Sequence, residues 1–218
     1  MTLDMFEQEG VNAGQYELYG QDIHIIRGLA LPYVDGIMHA LTKQIKPQSP
    51  LRQMTTPSGY SMSVAMTNCG QRGWVTSRSG YYYADVDPLT HQHWPDMPAI
   101  FISLAQAAAN KASFVNFKPD SCLINEYQAG SKMSLHQDKD EVDLSAPIVS
   151  VSLGISATFL LGGFKRQDKT MRIALHHGDV MVWGRSDRLR FHGILPIKAA
   201  FHAVTEDCRM NLTFRKAL

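Results

Sequence analysis

A chain of 218 residues, 44% hydrophobic and 19% charged, has enough apolar material for one substantial core and lacks the composition of a disordered sequence. Its formal net charge of +1 excludes a general attraction to nucleic acid or anionic lipid, so any such binding must rest on a local patch. Cys69, Cys122 and Cys208 are odd in number, far apart and never in a CxxC pair, which speaks against a disulfide framework and a structural zinc site.

The opening MTLDMFEQEG carries acids where a targeting segment carries basic residues and an apolar run. No stretch approaches the roughly 20 apolar residues of a membrane span. The expectation is therefore a cytoplasmic monomer without membrane contact. Residues 31–46 set Leu31, Val34, Ile37, Met38, Leu41 and Ile45 at steps of three and four, which predicts an amphipathic helix. Residues 49–95 are rich in Gly, Ser, Thr, Tyr and Trp, with short β-prone pieces such as YSMSVAM and GYYYA. They read as hairpins and loops that cover a core without forming it. A second helix is expected over 97–112, where Ile100, Leu104, Ala107 and Ala108 share a face and Pro98 sits at a first turn that tolerates it.

From residue 121 onward short apolar runs recur at regular intervals: CLINEY, MSLHQD, IVSVSLG, ATFLL, MRIAL, DVMVW and CRMNLTFR. Gly130, Gly154, Gly162, Gly163, Gly178, Gly193 and Pro196 punctuate them. This spacing predicts a mainly β fold, a jelly roll of two antiparallel sheets, with flanking α-helices. The organisation expected is one domain over 1–218: an N-terminal extension with a helix over 1–48, the cover over 49–95, and the jelly-roll catalytic core over 121–215.

His136 and Asp138, in LHQDKDE, are two apart, so on a strand both leave the same face and can reach one ion. Alone the pair is weak, because nine His and fourteen Asp in 218 residues supply about 0.6 such pairs by chance. His192, in RFHGI beyond several strands, is where a jelly roll returns a far strand beside the first. Two imidazoles and one carboxylate make the facial triad of non-haem iron oxygenases, with coordination positions left open for oxygen chemistry.

A second, independent signal lies near the C-terminus, where Arg209, Asn211, Thr213 and Arg215 alternate with Met210, Leu212 and Phe214. Two arginines on an inward face are very costly unless they meet anions, and a planar guanidinium suits a carboxylate. A dicarboxylate cosubstrate satisfies both; a solvated sheet face or internal salt bridges would also explain them. Asn125 and Tyr127 offer an amide and a phenol from one face of CLINEY.

Five blocks then carry a family resemblance: RQM-T-P-GY-MSVAMTNCG at 52–70, LHQDKDE at 135–141, APIVSVSLG at 146–154, HGDV-VWG at 177–184 and RxNLTFR at 209–215. In these the chain resembles the AlkB family of iron(II)- and 2-oxoglutarate-dependent dioxygenases, which oxidatively demethylate alkylated bases in DNA and RNA. The first 48 or so residues match loosely, FLLGGF at 159–164 is less aromatic than the family's segment, and the tail is short. The resemblance implies a double-stranded β-helix core with a nucleotide-recognition lid over 49–95. Its cofactors would be Fe(II), 2-oxoglutarate and O2, with the metal on His136, Asp138 and His192. Arg209 and Tyr127 would hold the distal carboxylate of 2-oxoglutarate, Arg215 and Asn211 would sit near its chelating end and its neighbours, and Asn125 would offer its amide to the same ligand. Succinate, carbon dioxide and formaldehyde would be the products.

The substrates so implied are bases such as 1-methyladenine and 3-methylcytosine, in single-stranded DNA and also in double-stranded DNA and RNA, taken out of the stack to reach the metal. In the family's pattern Trp74 stacks on the base opposite His136, Tyr81 contacts the backbone, and Asp140 with Arg166 lines the exocyclic side. Met66 stands apart from the other ten methionines as a candidate wall of the base pocket, the rest reading as core filler. Arg52, Arg72 and Arg78 belong to the same lid. For Tyr82 and Tyr83 the preferred reading is simple packing under a surface hairpin. His91 and His93 read as solvated loop histidines, and His24, His39, His176, His177 and His202 as outside any constellation. Three alternatives stay open on residues alone: an oxygenase of the same fold acting on a small molecule or protein side chain, a jelly-roll binding module with a structural metal, and a zinc hydrolase, the last disfavoured because no general base stands beside the ligands.

Overall fold

The computed structural model describes residues 13–218; the start of the N-terminal extension, 1–12, lies outside the described residues. Its fourteen strands in chain order are β1 (Tyr16–Tyr19), β2 (Ile23–Ile26), β3 (Arg52–Thr55), β4 (Ser61–Gly70), β5 (Gly73–Ser77), β6 (Gly80–Ala84), β7 (Ser121–Tyr127), β8 (Met133–His136), β9 (Ile148–Gly154), β10 (Ala157–Leu161), β11 (Met171–Leu175), β12 (Val180–Trp183), β13 (His192–Ile194) and β14 (Arg209–Arg215). Two α-helices accompany them, α1 (Val34–Ala40) and α2 (Ala99–Lys111). The strands form an eight-stranded sheet in the order β1-β2-β12-β9-β14-β7-β4-β3, a four-stranded sheet in the order β11-β10-β13-β8, and the separate hairpin β5-β6. The jelly roll expected from strand spacing is the observed core. No helix among the described residues is long and apolar enough to cross a membrane.

The two faces of the large sheet bury different things. Met210, Leu212 and Phe214 of β14 point toward the helices, into a cluster with Ile37, Phe101 and Leu104, and Phe101 meets Phe214 edge to face at 6.0 Å. The alternate residues of β14 face the small sheet, where Leu123, Trp183, Phe159 and Leu161 build the second cluster. Period-two alternation thus sends three apolar side chains one way and four polar ones the other. All seven residues of β14 are buried.

Three features differ from the sequence reading. The helix expected over 31–46 is a 3-10 turn at Leu31–Tyr33, then α1, then a π segment at Leu41–Ile45; Pro32 suits the tight first turn. The segment 49–95 is not only a cover: β4 pairs with β7 from Ala65↔Glu126 to Gly70↔Ser121 and extends the large sheet. Its polar-rich composition hid this, because β4 begins as an exposed strand and is buried only toward its end. Finally, β1 and β2 complete the opposite edge, with β2 buried at all four positions and paired to β12. Four residues are too few for a periodic signal.

Gly154 closes β9 at φ +80, and a Cβ there would lie 1.8 Å from Thr205 Oγ1 and 2.8 Å from the Cys208 carbonyl oxygen. Backbone strain and overlap act together, so Gly154→Ala is expected to cost about 2–4 kcal/mol. An unchanged urea midpoint would refute this.

Candidate active site

The small sheet brings the three candidate ligands together. β13 and β8 are antiparallel with His192↔His136 as register partners, so the imidazoles face each other with ring centroids 4.4 Å apart. Asp138 follows two residues after the end of β8, and its Oδ1 lies 3.6 Å from His136 Nε2 and its Oδ2 3.8 Å from His192 Nε2. One nitrogen or oxygen from each residue falls within 4.8 Å of the others.

Both imidazoles are set in the same tautomer. His136 Nδ1 lies 2.8 Å from the Ser134 carbonyl oxygen and His192 Nδ1 lies 3.0 Å from that of Arg190. A carbonyl only accepts, so each Nδ1 carries the proton and each Nε2 presents a lone pair inward. His192 is wedged between Phe159, stacked on it at 5.7 Å, and the edge of Trp183 at 5.2 Å. Burial, and next the neighbouring His136, push its pKa down to about 4, so it is neutral at physiological pH. Burial alone would raise the Asp138 carboxyl, but Arg215 and the two imidazoles outweigh burial and hold it well below the usual carboxylate range.

Beside this cluster opens a pocket lined by Asn125, Tyr127, Asp138, Trp183, Arg209 and Arg215, among others. The two arginines differ sharply. Arg215 is bracketed by carboxylates, with Nη2 2.8 Å from Asp138 Oδ2 and Nε 3.2 Å from Glu141 Oε1. Burial opposes its charge, yet these anions raise its pKa above the ordinary value. Arg209 meets no carboxylate within salt-bridge distance among the described residues. Its Nη2 donates to Ser152 Oγ at 3.0 Å, its guanidinium stands 5.0 Å from the Tyr127 ring centroid, and Nε and Nη1 are buried without a partner. Burial lowers its pKa, with only Tyr127 opposing. A guanidinium that is 1% exposed with two unanswered nitrogens demands an anion.

The other sequence candidates fall into two groups. Asn125 lines the cavity with Oδ1 buried and unpartnered. Asn211 also lines it, but both of its amide protons are engaged, with Ser150 Oγ at 2.8 Å and the Val151 carbonyl at 2.9 Å, so it orients the sheet floor and has no donor left for a ligand. Trp74 is half-buried on β5, stacked on Tyr81 of β6 at 5.1 Å and 12°, and its Nε1 donates to Asp140 Oδ2 at 2.9 Å. Arg166 donates to the Leu135 carbonyl and lies over the Phe191 ring, beside the strand that carries His136. Met66 is only 1% exposed and belongs to the inter-sheet core, so the structure packs it beneath the site. Arg52 is closed in a two-pronged pair with Asp87 at 2.8 and 2.6 Å, which holds the cover together.

Several contributors escaped the sequence reading. Glu141 and Arg188 form a buried pair at 2.9 Å, Arg188 also donates to the Asp138 backbone carbonyl, and Tyr83 donates its hydroxyl to Glu141 Oε1 at 2.6 Å. The packing role expected for Tyr83 is incomplete, because its hydroxyl joins an ion network. Pairs 47 and 58 residues apart leave no local pattern; the acid run DKDE was the only available signal.

A jelly roll whose small sheet gathers two histidines and an aspartate beside buried arginines has the architecture of a non-haem iron oxygenase. The chain matches the model of the 2OG-Fe(II) oxygenase superfamily over residues 35–215, and it belongs to that family. It is 60% identical over 193 residues, 88% of this chain and 89% of the relative, to the alpha-ketoglutarate-dependent dioxygenase AlkB of Escherichia coli. It is also similar to the mouse nucleic acid dioxygenase ALKBH1, 34% identical over 56% of this chain and 31% of that protein. The solved structure of OsALKBH1 superposes with a TM-score of 0.79 at 27% identity, covering 93% of this chain and 100% of that one. The protein is an Fe(II)- and 2-oxoglutarate-dependent dioxygenase whose cofactors are Fe(II), 2-oxoglutarate and O2.

Proposed function

We propose that this dioxygenase oxidatively demethylates N-alkylated bases, such as 1-methyladenine and 3-methylcytosine, in DNA and RNA. It acts on single strands first, also on double-stranded DNA, and works as a monomer in a reducing cytoplasm. The donor set fits the metal: two imidazoles whose Nδ1 atoms are turned to backbone carbonyls, leaving Nε2 to face inward, and a carboxylate suit a divalent first-row ion. His136, Asp138 and His192 would hold Fe(II), which when bound supplies O2 activation coupled to oxidative decarboxylation of 2-oxoglutarate. The unanswered nitrogens of Arg209 suit the distal carboxylate of that cosubstrate, with Tyr127 alongside. Arg215 and Asn125 serve its other end. Phe159 and Trp183 keep the His192 ring in place and water out.

The observation that carries the nucleic-acid reading is the hairpin β5-β6. Its Trp74 and Tyr83 are fastened to Asp140 and Glu141, the second and third residues after Asp138, so an aromatic face is tied to the rim of the cavity. A cationic methylated base gains from an aromatic face and a nearby carboxylate, here Trp74 and Asp140. The names of the E. coli and mouse relatives, a dioxygenase AlkB and a nucleic acid dioxygenase, support the same substrate class. Three free, buried cysteines suit a reducing compartment.

The test is aerobic incubation with Fe(II), 2-oxoglutarate and a single-stranded oligonucleotide carrying 1-methyladenine, followed by assay of formaldehyde and restored adenine. Parallel RNA and duplex substrates rank the strand types. Both products are expected; succinate without demethylated base would transfer the reading to a small-molecule or protein substrate. Trp74→Ala is expected to raise KM for the methylated oligonucleotide about tenfold or more, the loss of one stacked base, while the 2-oxoglutarate Kd stays unchanged. An unmoved KM would remove Trp74 from the base site.

A further inference from the structure

We propose that Glu141 is a positioning residue for the metal centre: held by Arg188 and Tyr83, it fixes Arg215 on Oδ2 of Asp138 and so leaves Oδ1 to the metal. This rests on the assignment of His136, Asp138 and His192 as metal ligands.

The network has four charges, two carboxylates and two guanidiniums, all buried. Arg215 contacts Asp138 Oδ2 through both Nε at 3.2 Å and Nη2 at 2.8 Å. A guanidinium placed there competes with any ion for the same carboxylate unless a second anion shares it. Glu141 is that anion, with Oε1 3.2 Å from Arg215 Nε. Its other oxygen is taken by Arg188 Nη2 at 2.9 Å, and Arg188 Nη1 returns to the Asp138 backbone carbonyl. Arg188 Nε reaches the Ala146 carbonyl at 3.3 Å, which ties the segment between β8 and β9 at both ends. Glu141 and Arg188 side chains are 2% and 3% exposed; their geometry is set by each other, not by solvent.

Tyr83 adds the third arm. It stands on β6, outside both sheets, and donates to the same Glu141 oxygen that meets Arg215. Trp74, its register partner on β5, donates to the preceding residue, Asp140. The hairpin therefore grips two consecutive residues of the ligand segment, and its anchoring bears on Asp138 through Arg215. Partners of this kind around a metal ligand are worth roughly tenfold to a hundredfold in metal affinity.

The test uses the full chain and Mn(II) alone, with free ion read by electron paramagnetic resonance. Glu141→Gln keeps the shape but withdraws the shared charge, so Mn(II) affinity is expected to fall roughly tenfold to a hundredfold. Tyr83→Phe removes one hydroxyl and is expected to weaken Mn(II) by roughly threefold to tenfold, in line with the net worth of one ordinary hydrogen bond felt at the metal through Glu141 and Arg215. Tyr82→Phe, on the exposed neighbour, leaves the affinity unchanged. Should Glu141→Gln fail to fold, Tyr83→Phe decides. Equal Mn(II) affinity for wild type and Tyr83→Phe, or for wild type and a folded Glu141→Gln, overturns the positioning role while the ligand assignment stands. No Mn(II) binding by wild type overturns the ligand assignment itself, and the positioning role with it.

Discussion

Asp138→Ala and His192→Ala are each expected to abolish succinate formation when the protein is incubated with Fe(II), 2-oxoglutarate and methylated oligonucleotide in air. Either change leaves one imidazole and one other donor, too few to hold a ferrous ion against water and too few to orient a cosubstrate. The two variants should differ in stability. His192→Ala removes a neutral ring packed by Phe159 and Trp183 and leaves a cavity without stranding a charge. Asp138→Ala strips Arg215 of one of its two carboxylates. Breaking a buried pair costs about 3–5 kcal/mol, and because Glu141 remains, the lower end applies. Urea unfolding of the metal-free proteins measures this, and succinate at the wild-type rate from either variant would refute the triad.

What the sequence made legible follows from what is local in it. His136 and Asp138 share a face because residues two apart on a strand do, and β14 declares its inward arginines by the same alternation. Both signals survive without knowledge of any other strand. The pairing of His192 with His136 does not, since it depends on the register of a three-residue strand. The same limit hid β1 and β2, and it hid the sharing of Glu141 among Arg188, Arg215 and Tyr83, whose residues come from separate parts of the chain. Arg52 shows the converse limit. A basic residue in a candidate lid looks available to phosphate, yet Asp87 closes on it through both guanidinium nitrogens, and only the fold reveals that.

Arg209→Met is expected to act with opposite signs on binding and on stability. In the protein without cosubstrate this guanidinium is buried among Tyr127, Ser152 and the cavity wall, with two nitrogens unpartnered and its pKa lowered by burial. Replacing an unpaired buried charge with an apolar side chain of similar length removes a desolvation penalty, so the ligand-free variant should melt above wild type. The cosubstrate's distal carboxylate is the anion that repays that penalty. Losing its partner should raise the 2-oxoglutarate Kd roughly a hundredfold, from about 3 kcal/mol for one half of a buried charge pair. Thermal unfolding with Mn(II), with and without 2-oxoglutarate, checks both halves, because a ligand that binds only the folded protein raises the midpoint in wild type and should not in the variant. An unchanged Kd would end the role of Arg209 as a carboxylate clamp. A structural arginine would lose stability on substitution with binding little changed; a clamp held ready for its ligand gains stability and loses binding, because its charge is answered only when the site is filled.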